Sequence, residues 1–409
     1  MLFQKQGIPV IDRKSAVALV PIVPLTYAGE RLLPLSLTDT PDTVPFKPGA
    51  AVTSADTLYT DADGFATRAA DGTLGAYTAL THPLYGERIF ASLTPDGEWL
   101  PFLPMSTDHK PATAAAIVAA AKDAGIIDEL DGVPLYTKLC AADLVVADAT
   151  EAGPFAASAT ALVLQAGESI LRGLSLAATA AGCDTYHIAV CPPNEALEKA
   201  IRNTIPATWL FVSPPLYPAA VAPAGGTPLR IGVQALIALA AAVDTDIAPQ
   251  YAVVTVTGDA VEKPANLLAP LGTPLSELLK ACNAAQNPAT VLLGDAIRGI
   301  PLTDTAMPLV TGITCMVVSH DTITDEETPC IGCGRCAEVC HRGLLPYEID
   351  RRHENMHYER LQKLHPELCD GCAACDCVCP AGRHLADRVQ LASKEDTLTF
   401  FSVGGDSDG

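Results

Sequence analysis

The chain has 409 residues, 49% of them apolar and 18% charged, the composition of a multidomain globular protein with substantial cores rather than of a disordered one. Its formal net charge of -21 argues against nucleic acid as a partner, because phosphates need Lys and Arg clusters to neutralise them, and fits docking on basic surfaces or plain solubility. The opening MLFQKQGIPVIDRKSA lacks an apolar run followed by a small-residue cleavage site, and the longest uncharged apolar run, Ile231 to Val243, is too short to cross a bilayer, so neither a signal peptide nor a membrane span is expected.

From Leu33 to Trp99, short β-rich segments are broken by turn signals at Lys47-Pro48-Gly49, Asp63-Gly64, Asp71-Gly72 and Asp96-Gly97. They predict a small all-β domain over residues 1–105, whose rhythm resembles a barrel-sandwich hybrid of the biotinyl or lipoyl type. A covalent carrier of that type needs a lysine on its hairpin. Here the hairpin offers Asp61, Asp63 and Arg68, so the domain is expected to be scaffold.

A linker near Ser106 to Pro111 leads into residues 112–227. An Ala-rich helix over Thr113 to Ala124 precedes strands at Leu144 to Ala147, Tyr186 to Val190 and Trp209 to Val212, separated by helices at Ala159 to Ala181 and Ala196 to Arg202. Such alternation predicts a Rossmann-like α/β layer on a parallel sheet. Residues 228–305 read as a β-grasp unit: strand, Gly258-Asp259 turn, strand, then a helix opening near Thr273, where Thr-Pro can cap. Residues 306–395 form a cysteine module with a charged spacer of helical composition, and 396–409 an acidic tail expected to be disordered. The fold class is therefore multidomain, mixed α/β and α+β.

The cysteine module carries the chemistry. The pattern C-x2-C-x2-C-x3-C occurs as Cys330, Cys333, Cys336, Cys340 and again as Cys369, Cys372, Cys375, Cys379, with Pro380 following. Three thiolates so spaced wrap one face of a [4Fe-4S] cube, while the fourth, offset by three residues, ligates the other cube. Cys330, Cys333 and Cys336 should then share a cluster with Cys379, and Cys369, Cys372 and Cys375 one with Cys340. Structural zinc is the competing reading, although zinc does not need the x3 offset. A disulfide framework fits poorly with a long chain lacking a secretory signal. Five further cysteines (Cys140, Cys183, Cys191, Cys282, Cys315) are scattered through apolar sequence and read as buried thiols in a reducing cytoplasm.

Three local features invite other readings. His353-Glu354-Asn355-Met356-His357 matches HExxH, but Lys363 stands where an extended zinc motif needs its third histidine, and a solvated helix face is expected. His341 follows Cys340 where a proline would be usual, as a surface residue or as an ionisable group near a cluster. Cys377 is surplus to the eight ligands, a spare thiol or an alternative ligand.

The strings CIGCGRCAEVCHRGLLP, CDGCAACDCVCPAG and VVTVTGDAVEKPANLLAPLGTPLSELL, with the order of parts, resemble the C subunit of the Rnf ion-translocating ferredoxin:NAD oxidoreductase over almost the whole chain. That resemblance implies a barrel-sandwich hybrid, a flavin- and NADH-binding domain like the 51 kDa subunit of complex I, an SLBB β-grasp domain and an α-helical dicluster ferredoxin module. Where the family places a Gly-rich loop of the form GxGGAGFPT on the flavin phosphate, this chain has Ile127-Asp128-Glu129-Leu130-Asp131-Gly132-Val133-Pro134, whose side chains would fill and repel a phosphate. The family's ECEPY corresponds to Thr150-Glu151-Ala152-Gly153-Pro154-Phe155, and its YPQGGEKQ survives only as Tyr217-Pro218. Two [4Fe-4S] clusters are expected, without FMN or NADH.

The expected function is electron transfer through those clusters, as an Rnf-like subunit partnered by ferredoxin-like donors or other members of a complex. The location would be cytoplasmic, with peripheral docking at the inner face of the membrane as one arrangement. Two other readings stand beside it: a soluble donor to a dedicated reductase, similar to the proline reductase-associated electron transfer protein, and a non-catalytic assembly or sensor protein.

Overall fold

Alternating burial along Arg31–Pro34 sets one face of a sheet inward, and the long hairpin Gly72–His82 with Gly86–Pro95 supplies its centre. The computed structural model describes residues 7–9, 12–36, 46–97, 109–222, 228–322 and 326–399. Arg31–Pro34 pairs antiparallel with Gly86–Pro95, and Ala51–Val52 lies on the far side of Gly72–His82. Thr57–Thr60 and Ala66–Arg68 form a separate ribbon. Leu33, Leu35, Val52, Leu58, Leu74 and Leu93 make the core of this region. Half of the expected linker, residues 106–108, falls outside the described residues.

The α/β layer has four parallel strands in the order Leu210–Val212, Tyr186–Val190, Val145–Ala149, Leu229–Gly232. Every residue of Val145–Ala149 is buried, as a parallel strand covered on both faces requires. Its helices start where the sequence offers oxygens. The Thr113 hydroxyl accepts from Ala116 N–H at 3.3 Å before Ala114–Asp123, and the Asn194 side chain accepts from Leu197 N–H at 3.0 Å before Glu195–Thr204. Each such cap stabilises its helix by about 1 kcal/mol. Helices Ser158–Ala181 and Val233–Thr245 bury Leu162, Ile170, Leu174, Leu236 and Leu239 in one core with Val145 and Ile188.

A six-stranded sheet follows in the order Ile300–Pro301, Thr290–Leu293, Cys315–Ser319, Tyr251–Thr257, Ala265–Pro270, Ile22–Pro24, with helix Leu275–Ala281 in the same core. Two of its strands, Ile22–Pro24 and Cys315–Ser319, come from outside residues 228–305. Buried Asn266 ties the early strand in, accepting from Thr255 Oγ1 at 2.7 Å and donating to the Val17 carbonyl at 2.9 Å.

These layers make one compact unit, Ile11–Pro214 with Ala220–Thr322; the other comprises Met1–Val10, Pro215–Ala219 and Ile323–Gly409. In the second, Ile8–Pro9 pairs antiparallel with Leu216–Tyr217. Short helices Arg335–Val339, Pro346–Glu354, Tyr358–Gln362 and Ala374–Cys377 precede the longer Leu385–Thr399 around Leu344, Ile349, Leu361 and Val389. Arg383 donates to buried Asp350 at 2.5 Å and to Glu354 at 2.7 Å, and Arg388 bridges Glu354 and Glu327. The expected disordered tail is helical over residues 396–399, the end of Leu385–Thr399, and lies outside the described residues from 400 onward. Among the described residues no helix is long and apolar enough to cross a membrane.

Candidate iron-sulfur centre

Each cysteine motif turns through left-handed residues into a short helix. Gly332 and Gly334 have φ +70° and +77° ahead of Arg335–Val339, a conformation that glycine adopts without a Cβ clash. In the second motif Gly371 and Ala373, at +68° and +58°, precede Ala374–Cys377. None of the fourteen cysteines is in a disulfide; of the five scattered ones Cys191, Cys282 and Cys315 are buried as expected, whereas Cys183 is partly exposed and Cys140 exposed. Cys340, from the first motif, lines one cavity together with Cys369, Cys372 and Cys375 from the second. Conversely, the sulfurs acting on the Cys336 thiol are those of Cys333 and Cys379. The second trio therefore has Cys340 beside it, and Cys379 lies by Cys336 of the first.

Burial raises the thiols of Cys336, Cys369 and Cys375 above the ordinary cysteine range and pushes Cys372 up to about 12. A metal must displace those protons to bind, which thiophilic iron or zinc does and hard cations do not. Backbone donors already point at two sulfurs: Gly332 N–H at Cys330 Sγ and Leu344 N–H at Cys340 Sγ, both 3.4 Å. Four sulfurs around one cavity, with N–H···S contacts and apolar Leu344, Ala386 and Val389 nearby, fit an iron-sulfur cube. When bound, such a cluster accepts and releases single electrons.

The surroundings are polar on one side. His341 Nε2 lies 2.7 Å from Asp370 Oδ2, and Arg342 Nε 3.2 Å from the same oxygen. Burial alone would raise the Asp370 carboxyl, but the close approach of the His341 imidazole, aided by Arg342, holds it well below the usual carboxylate range. Among the described residues His341, Asp370 and Cys372 form the one set of potential metal ligands whose donor atoms fall within 4.8 Å of one another. Cys377 is exposed on its short helix. The HExxH residues do not share a helix: Pro346–Glu354 ends at Asn355, Met356 is left-handed at φ +54°, and His357 precedes the next helix. His357 Nδ1 sits 3.3 Å from Arg352 instead.

Residues 329–383 match the model of the 4Fe-4S dicluster domain, and residues 253–290 that of the SLBB domain. The C subunit of the ion-translocating oxidoreductase complex of Rhodobacter capsulatus is 29% identical over 297 residues, which cover 64% of this chain and 56% of that one. The chain is a relative of the Rnf complex C subunit. The counterpart from Yersinia pestis is 35% identical over 125 residues, covering 30% of this chain and 20% of that one. The C subunit of the proton-translocating ferredoxin:NAD(+) oxidoreductase complex of Clostridium ljungdahlii is 22% identical over 298 residues, 65% of each chain. The chain thus spans less than two thirds of the length of these Rnf-type relatives. Among solved structures, the NAD+-reducing [NiFe]-hydrogenase in its H2-reduced state aligns with a TM-score of 0.45 at 18% identity, covering 72% of this chain and 62% of that one.

Two helix starts of this Rnf C relative are filled by its own carboxylates. Glu129 Oε1 and Oε2 accept from Gln234 N–H at 2.7 Å and Ala235 N–H at 3.0 Å, at the opening of Val233–Thr245. Part of Glu129 stays accessible, yet its carboxylate is enclosed; burial, then the Asp128 charge, push it up to about 8. Asp128 Oδ1 takes Gly232 N–H at 3.0 Å, and Lys138 Nζ lies 2.6 Å from its other oxygen. Glu151 does the same for Ser158–Ala181, accepting from Ala159 N–H at 2.9 Å, Thr160 N–H at 3.0 Å and both neighbouring hydroxyls. Buried Lys14 donates to the Glu151 carbonyl at 2.8 Å. Tyr217 lies far in sequence from the other remnants and donates to the Cys372 carbonyl at 2.5 Å. Sequence reasoning gave Lys14 and the capping by Glu151 no signal, because both depend on contacts more than 130 residues apart or on a turn with Glu151 at φ +33°.

Proposed function

We propose that this chain relays electrons through two [4Fe-4S] clusters, one on Cys330, Cys333, Cys336 and Cys379, the other on Cys340, Cys369, Cys372 and Cys375. It acts in this reading as the electron-transfer subunit of a larger oxidoreductase. The observation that carries it is the single cavity where Cys340 meets the first three cysteines of the second motif, a crossing that two-cube modules need and zinc ribbons do not. Cubes held by interleaved ligands sit close enough to exchange electrons.

The remaining parts serve as scaffold and docking surface. We assign most of residues 1–105 to a barrel-sandwich hybrid, 112–227 to a 51 kDa-like α/β domain that runs on through Leu229–Gly232 and Val233–Thr245, 228–305 to the SLBB β-grasp domain with Ile22–Pro24 and Cys315–Ser319 added to its sheet, and 306–395 to the dicluster module with the ribbon of Ile8–Pro9 and Leu216–Tyr217. The α/β domain does without FMN or NADH. Its support is Glu129, whose carboxylate uses the helix N–H groups that a phosphate would otherwise take. Partners are redox proteins and other members of the complex, met at the cytoplasmic face of a membrane assembly.

Anaerobic titration of cluster-loaded protein tests this, with NADH first and dithionite second. Dithionite alone should bleach the iron-sulfur absorbance, and Cys333→Ala should remove one cluster's paramagnetic signal. Bleaching by NADH would overturn the scaffold role of the α/β domain, and an unchanged cluster count in the variant would sink the ligand assignment.

A further inference from the structure

We propose that Tyr217 is a positioning residue for the cluster on Cys340, Cys369, Cys372 and Cys375; this rests on the two-cluster reading above. Its hydroxyl donates to the main-chain carbonyl of Cys372 at 2.5 Å. On the other side of the same residue, Cys372 N–H donates to Asp370 Oδ1 at 3.3 Å. The backbone carrying the central sulfur of the trio is therefore held from both sides, by a phenol and by a carboxylate.

Tyr217 is itself fixed. It is only 7% exposed and sits in the ribbon with Ile8, in register Ile8↔Tyr217 and Pro9↔Leu216. The ribbon admits no side chain at Gly7, where a Cβ would lie 2.2 Å from the Tyr217 carbonyl oxygen. A phenol so placed serves two ends. It keeps the Cys372 carbonyl from turning, which fixes the direction in which Cα–Cβ presents the sulfur, and its ring keeps water from that side of the ligand loop. Hydrogen bonding around the ligands and solvent access are the protein's levers on cluster retention and potential. The tyrosine of the degenerate YPQGGEKQ string thus acts on the cluster and not on a nucleotide.

The test is Tyr217→Phe, which keeps the ring and removes the donor. Cys333→Ser and Cys372→Ser first identify which paramagnetic signal belongs to which cluster. Loaded Tyr217→Phe should keep both clusters' iron and sulfide, shift the midpoint potential and signal of the Cys372 cluster alone, and release that cluster's iron to a chelator about tenfold faster. Unchanged signal, potential and release rate would overturn the proposal, as would a change confined to the Cys333 cluster or equal loss of both. Wild-type protein that loads with fewer than two clusters would instead overturn the two-cluster reading. Unfolding of Tyr217→Phe, read by circular dichroism of the unloaded chain, would mark the phenol as merely structural and so also overturn the proposal.

Discussion

Glu129→Gln replaces a buried titrating acceptor with a neutral one of the same shape. Burial and Asp128 hold the Glu129 carboxyl at about 8, against an ordinary value of 4.5. A carboxyl whose folded pKa is raised binds more protons folded than unfolded, so the stability it contributes is complete below the unfolded value and is lost as pH rises through the folded one. Between pH 7 and pH 9 the native state gives up its proton while the unfolded state has none to lose, a cost of about 1.4 kcal/mol. Glutamine keeps one oxygen for Gln234 N–H and leaves Ala235 N–H without its acceptor, a pH-independent loss of about 1 kcal/mol. The assay is urea unfolding followed by Trp209, which stacks on Tyr186 at 4.7 Å in the same α/β layer, in a Trp99→Phe background. Native protein should lose about 1.4 kcal/mol more than the glutamine variant from pH 7 to pH 9. Equal losses in both would refute the buried acid.

Glu151→Ala removes four hydrogen bonds from the start of Ser158–Ala181 and should cost about 2 kcal/mol in the same unfolding assay. Arg383→Ala leaves Asp350, 2% exposed, without its closest partner; a loss of about 3 to 5 kcal/mol is expected, seen as an earlier melt of the iron-sulfur absorbance. Ala373→Gly relieves a left-handed alanine at φ +58° and should leave stability unchanged or raise it by up to about 1 kcal/mol, whereas Gly334→Ala at φ +77° should lower it by a similar amount; chemical denaturation of the unloaded chain compares the two.

The sequence made legible whatever rests on short-range periodicity or fixed spacing. Tyr186–Val190 is the expected strand to the residue, and Ser158–Ala181 differs from its expected helix by one position, because an Ala-rich apolar stripe and a Gly182 cap leave little choice. The doubled cysteine motif could be read because metal ligation imposes its own spacing. Ile22–Pro24 could not: three residues containing a proline carry no alternation, and the strand exists only because Ala265–Pro270 offers it an edge. The spacer's helical composition failed to foretell the break at Met356, where the chain must turn to bring Leu361 into the core with Ile349. Glu129 was foreseen as an obstacle to phosphate, but not as the partner of the helix that phosphate would have faced, since Gln234 lies 105 residues on.

The dicluster unit is closed by three stretches of chain, Met1–Val10, Pro215–Ala219 and Ile323–Gly409. On a ribosome the first stretch emerges before its ribbon partner at Leu216 exists, and that partner waits again for Cys372. Cys379 comes later still. In the two-cluster reading, interleaved cubes can therefore be completed only once Cys379 has emerged, on a chain whose other unit has already been made. A fragment cut at residue 323 would keep all eight proposed ligands yet lack the ribbon that Ile8 and Tyr217 form, so transplanting the module into another protein calls for grafting three pieces and not one.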